Sequence, residues 1–249
     1  MKQLLRIILV ASVITLCVTY FIKDKYPDSS TMLPEMQYEP VQTPLNMAPF
    51  LAGAKDSVFT VTPLFEYDLY GMVVTYHRST DLSDTAHARW GDKLNIEDIC
   101  VLWGSNLLGN MYKNIEFTSG NWTCFFRTKD QNTWETFNQS AISNSHLLAE
   151  NKQLIKAIRG THRGDQIHIK GYLVNYTNVK GFYRNTSTTR QDVGQGACEI
   201  VYVTDYKILK RGSPLFYPLF TLSKYLIALS AALLIAIFIL ETKSSREIS

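Results

Sequence analysis

Charge and cysteine are both scarce in this 249-residue chain. Charged residues make up 19% of it, and the formal net charge is only +3. Between Lys23 and Pro214 twelve Lys and eight Arg face twelve Asp and eight Glu, so the whole excess sits at the two ends. A neutral middle removes the electrostatic case for nucleic-acid binding, which needs a basic surface that displaces counterions. Four cysteines are too few for a disulfide-stapled scaffold. Thirteen Gly and eight Pro exclude a collagen-like or linker-dominated chain. No period of about 20–50 residues repeats, which excludes solenoids and propellers. The sequence has no CxxC, no HExxH, no EF-hand loop, no Walker A and no GxSxG, so no metal and no cofactor is expected.

What is abundant is apolar, at 46% of the chain, and it is unevenly placed. The mean hydropathy of -0.06 averages two apolar ends and a polar middle. Ile7 to Ile22 carries no charge, and with Leu4 and Leu5 around Arg6 it reaches the ~20 residues that cross a bilayer. Residues 1–23 are therefore read as an uncleaved anchor. A cleaved signal peptide fits less well, because Val18, Thr19, Tyr20 and Phe21 offer no small-x-small site. A lipoprotein would use Cys17, but the bulky Leu16 precedes it. The second span, Leu219 to Leu240 within residues 214–241, has one charge, Lys224, near its start, where it can snorkel. Tyr217 and Tyr225 fit an aromatic belt there. Lys2, Arg6, Lys243 and Arg246 put both short tails, the second being residues 242–249, in the cytoplasm, with the central region outside it.

Ala228, Ala232 and Ala236 recur every four residues on one face of the second span, and Ala11, Thr15 and Thr19 do so on the first. Small residues at this spacing let helices approach closely in lipid. The two stripes are expected to pack on each other or on those of a second copy.

Five prolines between residues 24 and 57 deny a regular helix and predict an extended stalk lying on the domain. Residues 58–213 read as one α+β domain of mainly β character. Strands are expected at 58–62, 65–76, 98–103, 121–128, 166–176 and 197–206, with residues 81–92 as a polar loop. One helix is expected, with Leu148, Leu154, Ile155 and Ile158 on its apolar face, Asn151 as N-cap and Gly160 as its end. An OB-like, partly closed barrel fits this order.

Lys152, Lys156 and Arg159 form the other face of that helix, a candidate binding surface for phosphate-bearing lipid heads or an acidic partner. The plainer reading is a solvated face. Of the cysteines outside the anchor, Cys100 and Cys124 are the first choice for a disulfide, with three buried thiols as the alternative. Catalysis by Cys198 would need His146, His162 or His168 as base, and no local motif joins them. The plainer reading of Gly194 to Cys198 is a tight turn before a strand. Asp98, His146, Arg190, Asp192 and Glu199 are candidates for acid–base work or a metal-phosphate site. Equally, they suit a salt-bridge network closing the sheet.

Four runs stand out together: Asp98 to Asn106 (DICVLWGSN), Ser143 to Leu148, Gly164 to Val174, and Arg190 to Glu199 (RQDVGQGACE). As a set they resemble a family of bacterial membrane-anchored envelope proteins with no established activity, over roughly Phe65 to Tyr206. Val193 departs from the Thr usual in the last motif. The resemblance implies an inner-membrane protein with a periplasmic domain and implies nothing about chemistry. The expected function is a binding or assembly module that contacts another membrane or envelope protein or an envelope ligand. A periplasmic hydrolase of phosphate- or sugar-containing substrates is the second expectation.

Overall fold

The longest strand, β3 (Ser57–Arg78), pairs with four others and organises everything around it. The computed structural model describes residues 1–54, 56–79, 89–190, 192 and 197–247, with the side chains of 244–247 excepted. It consists of two units, Met1–Lys25 with Ser213–Ser249, and Tyr26–Gly212.

In the second unit, β4 (Asn95–Leu102) pairs with β3, β7 (Ile142–Leu148) with β4, β10 (Glu199–Lys210) with β7, and β8 (Gln166–Asn178) with β10. β8 then returns to pair with β3, so five strands close a ring. All contacts in the ring are antiparallel except β7–β10. Alternate residues turn inward. Leu69, Ile99, Leu147, Ile169 and Val201, one from each strand, are fully buried in one cluster. Burying each contributes about 1.5–3 kcal/mol. Two glycines in the ring allow close approach of the neighbouring strand. A Cβ on Gly171 would lie 2.1 Å from the Tyr202 carbonyl oxygen, and one on Gly71 would lie 2.3 Å from Val101 Cγ1. Pro63, which cannot donate to a ladder, falls at a bulge in the β3–β8 register.

The short helix α3 (Lys152–Arg159) buries Ile158 in the same core and packs Leu154 and Ile155 against it. Asn151 caps it by accepting from the backbone of Gln153 and Leu154, and Gly160 ends it. Leu148, expected on this helix, belongs instead to β7. The sequence pattern misses β7 because its fully enclosed run Ser143-Asn144-Ser145-His146 is polar.

Two further pieces differ from the sequence reading. The expected stalk is knit into the domain: β1 (Val41–Pro44) and β2 (Phe50–Ala54) both pair with β3, and Met36 and Ala52 are fully buried. Its prolines keep it extended, and extended chain has free edges that a neighbouring strand completes. The strand expected at 121–128 is β6 (Thr123–Arg127), which among the described residues pairs only with β5 (Glu116–Gly120), as a hairpin outside the ring. Phe117 of this hairpin packs over Met72, Cys100 and Leu102. A one-and-a-half-turn helix, α2 (Gln131–Thr136), follows it, and β9 (Tyr183–Arg184) pairs with β8. Residues 81–88 of the polar loop and the Gly194–Gly196 turn lie outside the described residues.

In the first unit, α1 (Lys2–Ile22) and α4 (Phe216–Glu247) are long and apolar enough to cross a membrane, each with mean hydropathy 2.3. They run antiparallel, with Lys2 paired to Glu241 and Asp24 accepting from Tyr217. The packed face of α1 includes Leu5, Ile8, Ser12, Thr15 and Thr19, and that of α4 includes Ser223, Ile227, Ser230, Leu234 and Ile237. The alternating three- and four-residue steps are those of a coiled-coil seam. Thr19 and Ser230 satisfy their hydroxyls on carbonyls of their own helices. Of the two expected stripes, Thr15 and Thr19 face α4, whereas Ala11, Ala228, Ala232 and Ala236 point outward. The α1–α4 contact is therefore not the stripe-on-stripe packing expected within one chain, because the seam follows a heptad and not a four-residue repeat.

Candidate functional site

The polar run of β7 is where the enclosed polar groups gather. Successive side chains on a strand point to opposite faces, so β7 divides them into two clusters. Ser143 and Ser145 point into the ring, and Asn144 and His146 point out of it.

In the inner cluster, Ser145 lies opposite Glu199 in the parallel β7–β10 register. Ser143 Oγ donates to Glu199 Oε2 at 2.5 Å and lies 2.9 Å from Ser145 Oγ. Arg190 pairs with the other carboxylate oxygen. Its guanidinium lies over the rings of Trp103, at 5.4 Å, and Tyr67, at 5.6 Å. Burial pushes the Glu199 carboxyl up, and Arg190 and Ser143 act against it. This is a paired and hydrogen-bonded charge held against two aromatic rings. It has the character of a structural network joining β10 to β7.

The outer cluster has different chemistry. Asp98 on β4 lies directly opposite His146 in the antiparallel register. Asp98 Oδ1 is 2.5 Å from His146 Nδ1, and both side chains are at most 1% exposed. Asn95 Nδ2 donates to the same carboxylate oxygen at 2.7 Å, and the Trp122 backbone N–H donates to Oδ2 at 3.1 Å. At the other end of the imidazole, Arg184 Nη2 approaches Nε2 at 3.0 Å. Asn144 Nδ2 donates to Cys198 Sγ at 3.4 Å, and Sγ lies 3.6 Å from the Trp122 carbonyl oxygen. Burial opposes charge on His146, but Asp98 and then Cys198 outweigh it and lift the imidazole to about 9. Burial also works to raise the Cys198 thiol, but His146 and Asn144 bring it below its ordinary value.

Two features build this cluster from outside the ring. The β5–β6 hairpin tip brings in Trp122, whose φ of 60° is unusual for a side chain of its size. Cys124, two residues on, is disulfide-bonded to Cys100 on β4. The strands Cys100 and Cys124 occupy do not pair, so the disulfide ties the hairpin to the ring. The segment after β8 supplies Arg184, whose guanidinium lies 5.1 Å above the Trp122 ring.

The five acid–base candidates thus fall into separate groups. Asp98 and His146 meet on the outer face. Arg190 and Glu199 meet on the inner face. Asp192 bonds Ser187 and Thr189 and joins neither cluster. One residue of alternation in β7 and β10 causes the separation. Asn144, Trp122 and Arg184 enter the outer cluster without being named with it in the sequence, whereas Cys198 is weighed there beside His146. For Asn144 the signal is the alternation of polar residues through β7, visible once that run is read as a strand; Trp122 and Arg184, on other elements, have no such signal. Lys152, Lys156 and Arg159 are all exposed on α3, apart from both clusters. Among the described residues no group of three metal-ligating side chains converges. No protein-family model, curated protein or solved structure matches this chain.

Proposed function

We propose that the chain is a two-pass membrane protein that holds an OB-like domain outside the cytoplasm and uses it as a binding or assembly module. The observation that carries the reading is the Cys100–Cys124 disulfide in a domain bounded at both ends by apolar helices. Disulfides persist in oxidising compartments, and a domain flanked by two spans is reached from one side of the membrane only. We infer the bacterial inner membrane and the periplasm from the resemblance of its four motifs.

The OB-like reading rests on topology. The ring runs first, second, third, fifth, fourth strand and back to the first, with the helix between the third and fourth. OB folds take ligands on the second and third strands and the loops beside them. Here those strands are β4 and β7, and the Trp122 tip and Arg184 segment converge on them. The argument is fold-level and names a place, not a ligand. The exposed Lys152, Lys156 and Arg159 offer a second contact surface for an acidic partner or phosphate-bearing lipid heads.

The test is crosslinking of the full-length protein in its native membrane, followed by mass spectrometry. Recurrent capture of one envelope protein, or of defined self-pairs, with crosslinks on the β4–β7 side or on α3, supports the module. Crosslinks spread evenly over many proteins overturn it.

A hydrolase acting on phosphate- or sugar-containing substrates is the second reading, favoured by the enclosed Asp98–His146 contact. Under it, Asp98→Asn abolishes function while amount and fold persist. Full function in that variant removes the reading.

A further inference from the structure

We propose that the basic face of α3, with the end of β10 beside it, docks on anionic phospholipid headgroups of the membrane that α1 and α4 enter. The inference rests on the two-pass reading above and names the partner of its second contact surface. Between Lys23 and Pro214 cations and acids balance at twenty each. The balance fails in two stretches. From Asn151 to Gly164 there are four cations and no acidic residue, and from Tyr206 to Pro214 three cations and no acidic residue. The fold brings the two stretches together. Arg211 Nη1 donates to the Gly160 carbonyl oxygen at 2.6 Å, where α3 ends.

Helix stability does not account for this pattern. Lys152 opens α3, where the macrodipole favours an acid, and no acidic residue occupies the first turn. Lys152 and Lys156 stand four apart, so they repel along one face. Lys156 and Arg159 suit the last turn, but Lys152 gains nothing from the dipole there. A face kept only for solvent commonly interleaves charges of both signs. The neighbouring acids are spent elsewhere. Glu97 and Asp165 are enclosed and pair with Arg78 and Arg211. Glu150 accepts from the Tyr202 hydroxyl and from the Gly53 backbone N–H. Lys152, Lys156 and Arg159 are all exposed, and among the described residues none of them makes an ion pair.

The course of the chain favours lipid over a separate acidic protein. Residues 211–215 are the whole connection from β10 to α4, and α4 is apolar enough to cross a membrane. The hydrogen bond from Arg211 to Gly160 therefore ties α3 to the segment that becomes the span. A surface tethered in this way meets headgroups at high local concentration. Anionic headgroups attract Lys and Arg over a range of about 10 Å at 0.1 M salt. Arg211, with 44% of its side chain exposed, and the exposed Lys210 continue the cationic strip along the chain. Lys and Arg only donate hydrogen bonds, and a phosphodiester only accepts them.

The experiment uses the full-length protein in nanodiscs, with N-hydroxysuccinimidyl acetate as the probe of each lysine and peptide mass spectrometry as the readout. One set of discs is phosphatidylcholine alone, and the other contains about one-third phosphatidylglycerol. Acetylation of Lys152 and Lys156 is expected to slow about threefold or more in the anionic discs. It should recover in about 0.5 M salt. Lys129 and Lys180, exposed elsewhere on the domain, should keep the same rate in both. Docking is separated from mere nearness by the double variant Lys156→Ser, Arg159→Ser, which should return Lys152 to its rate in neutral discs. Retained circular dichroism and an intact Cys100–Cys124 peptide show that this variant folds. If it does not fold, the wild-type comparison decides. Equal rates in the two sets of discs overturn the proposal, and so does a Lys152 that stays slow in the folded double variant. Slowing in native membranes but in neither set of discs assigns the face to an acidic protein. That outcome overturns the lipid partner and leaves the binding-module reading to its own crosslinking test.

Discussion

The backbone N–H of Trp122 donates to Asp98 Oδ2 at 3.1 Å, two residues from the point where Cys124 is bonded to Cys100 on the same strand as Asp98. The disulfide and the hydrogen bond are therefore two rungs of one attachment. The first fastens the hairpin to β4, and the second uses the fastened hairpin to orient the carboxylate that faces His146. The contact is made by a main-chain group at a residue with φ of 60°. Any loosening of the tip acts on Asp98 before it reaches the ring.

Replacing Cys100 and Cys124 together by Ala is therefore expected to do two things. Opening a cross-link of 24-residue separation costs about 3 kcal/mol of stability. Denaturant unfolding of the detergent-solubilised protein measures that loss. The Trp122 amide also becomes free to leave Asp98, and its hydrogen exchange rises more than that of β7. Equal protection at Trp122 in both proteins would show that the disulfide does not hold the tip.

Stability should fall as pH rises from neutral. His146 has an ordinary value of 6.5, and in the fold Asp98 and Cys198 outweigh burial to raise it to about 9. A raised folded value means that the fold binds the proton more tightly than the unfolded chain. The stabilisation is complete below about 6.5 and is lost as pH passes through about 9. Its size is on the order of a few kcal/mol at most. Glu199, raised by burial, gives a slope of the same sign above its ordinary 4.5. Midpoints of denaturant unfolding between pH 5 and 9 test both. Asp98→Asn should flatten the alkaline part, and Glu199→Gln the acid part.

The parts of this architecture legible in the sequence are those set by period and composition. Two apolar ends and a strand-rich middle come straight from runs and alternation, as do the cap at Asn151 and the stop at Gly160. β7 shows where that reading fails. His146 meets the cross-strand Asp98 and Asn144 Nδ2 meets Trp122 and Cys198, and these partners are distant in sequence, so no local pattern marks either residue as interior. The pairing of Asp98 with His146, and their separation from Glu199, depend on register. A one-residue slip would reverse both.

The exposed basic face of α3 makes a prediction that separates binding from folding. Lys152, Lys156 and Arg159 are exposed, while Ile158 anchors the opposite side in the core. Changing all three to Ser should move stability by no more than about 0.5 kcal/mol per site, the usual range for surface changes. It should also abolish sedimentation of the protein's domain face with anionic vesicles, or its capture of an acidic partner, when the full chain is presented in nanodiscs. Replacing the cap, Asn151→Ala, should do the reverse. It costs about 1 kcal/mol and leaves the surface charge intact. Undiminished binding by the triple variant would return this face to the role of a solvated surface.

The two apolar helices allow a final separation, between pairing within one chain and pairing between chains. Ser230 is buried against α1, whereas Ala232, two residues on, points outward. A Leu at position 230 must push the helices apart, since a seam of Ser and Thr has room for a hydroxyl and not for an isobutyl group. Ser230→Leu should therefore weaken α1–α4 contact, read as loss of a disulfide engineered between Thr15→Cys and Ile227→Cys, with Cys17 and Cys198 changed to Ser. Ala232→Leu should leave that cross-link intact, because its side chain adds only to the outer surface. If Ala228, Ala232 and Ala236 bring two copies together, the same change lowers the dimer fraction in bilayers. A dimer fraction unaffected by leucine at position 232 would assign that stripe to lipid and leave the heptad seam as the helix contact the fold uses.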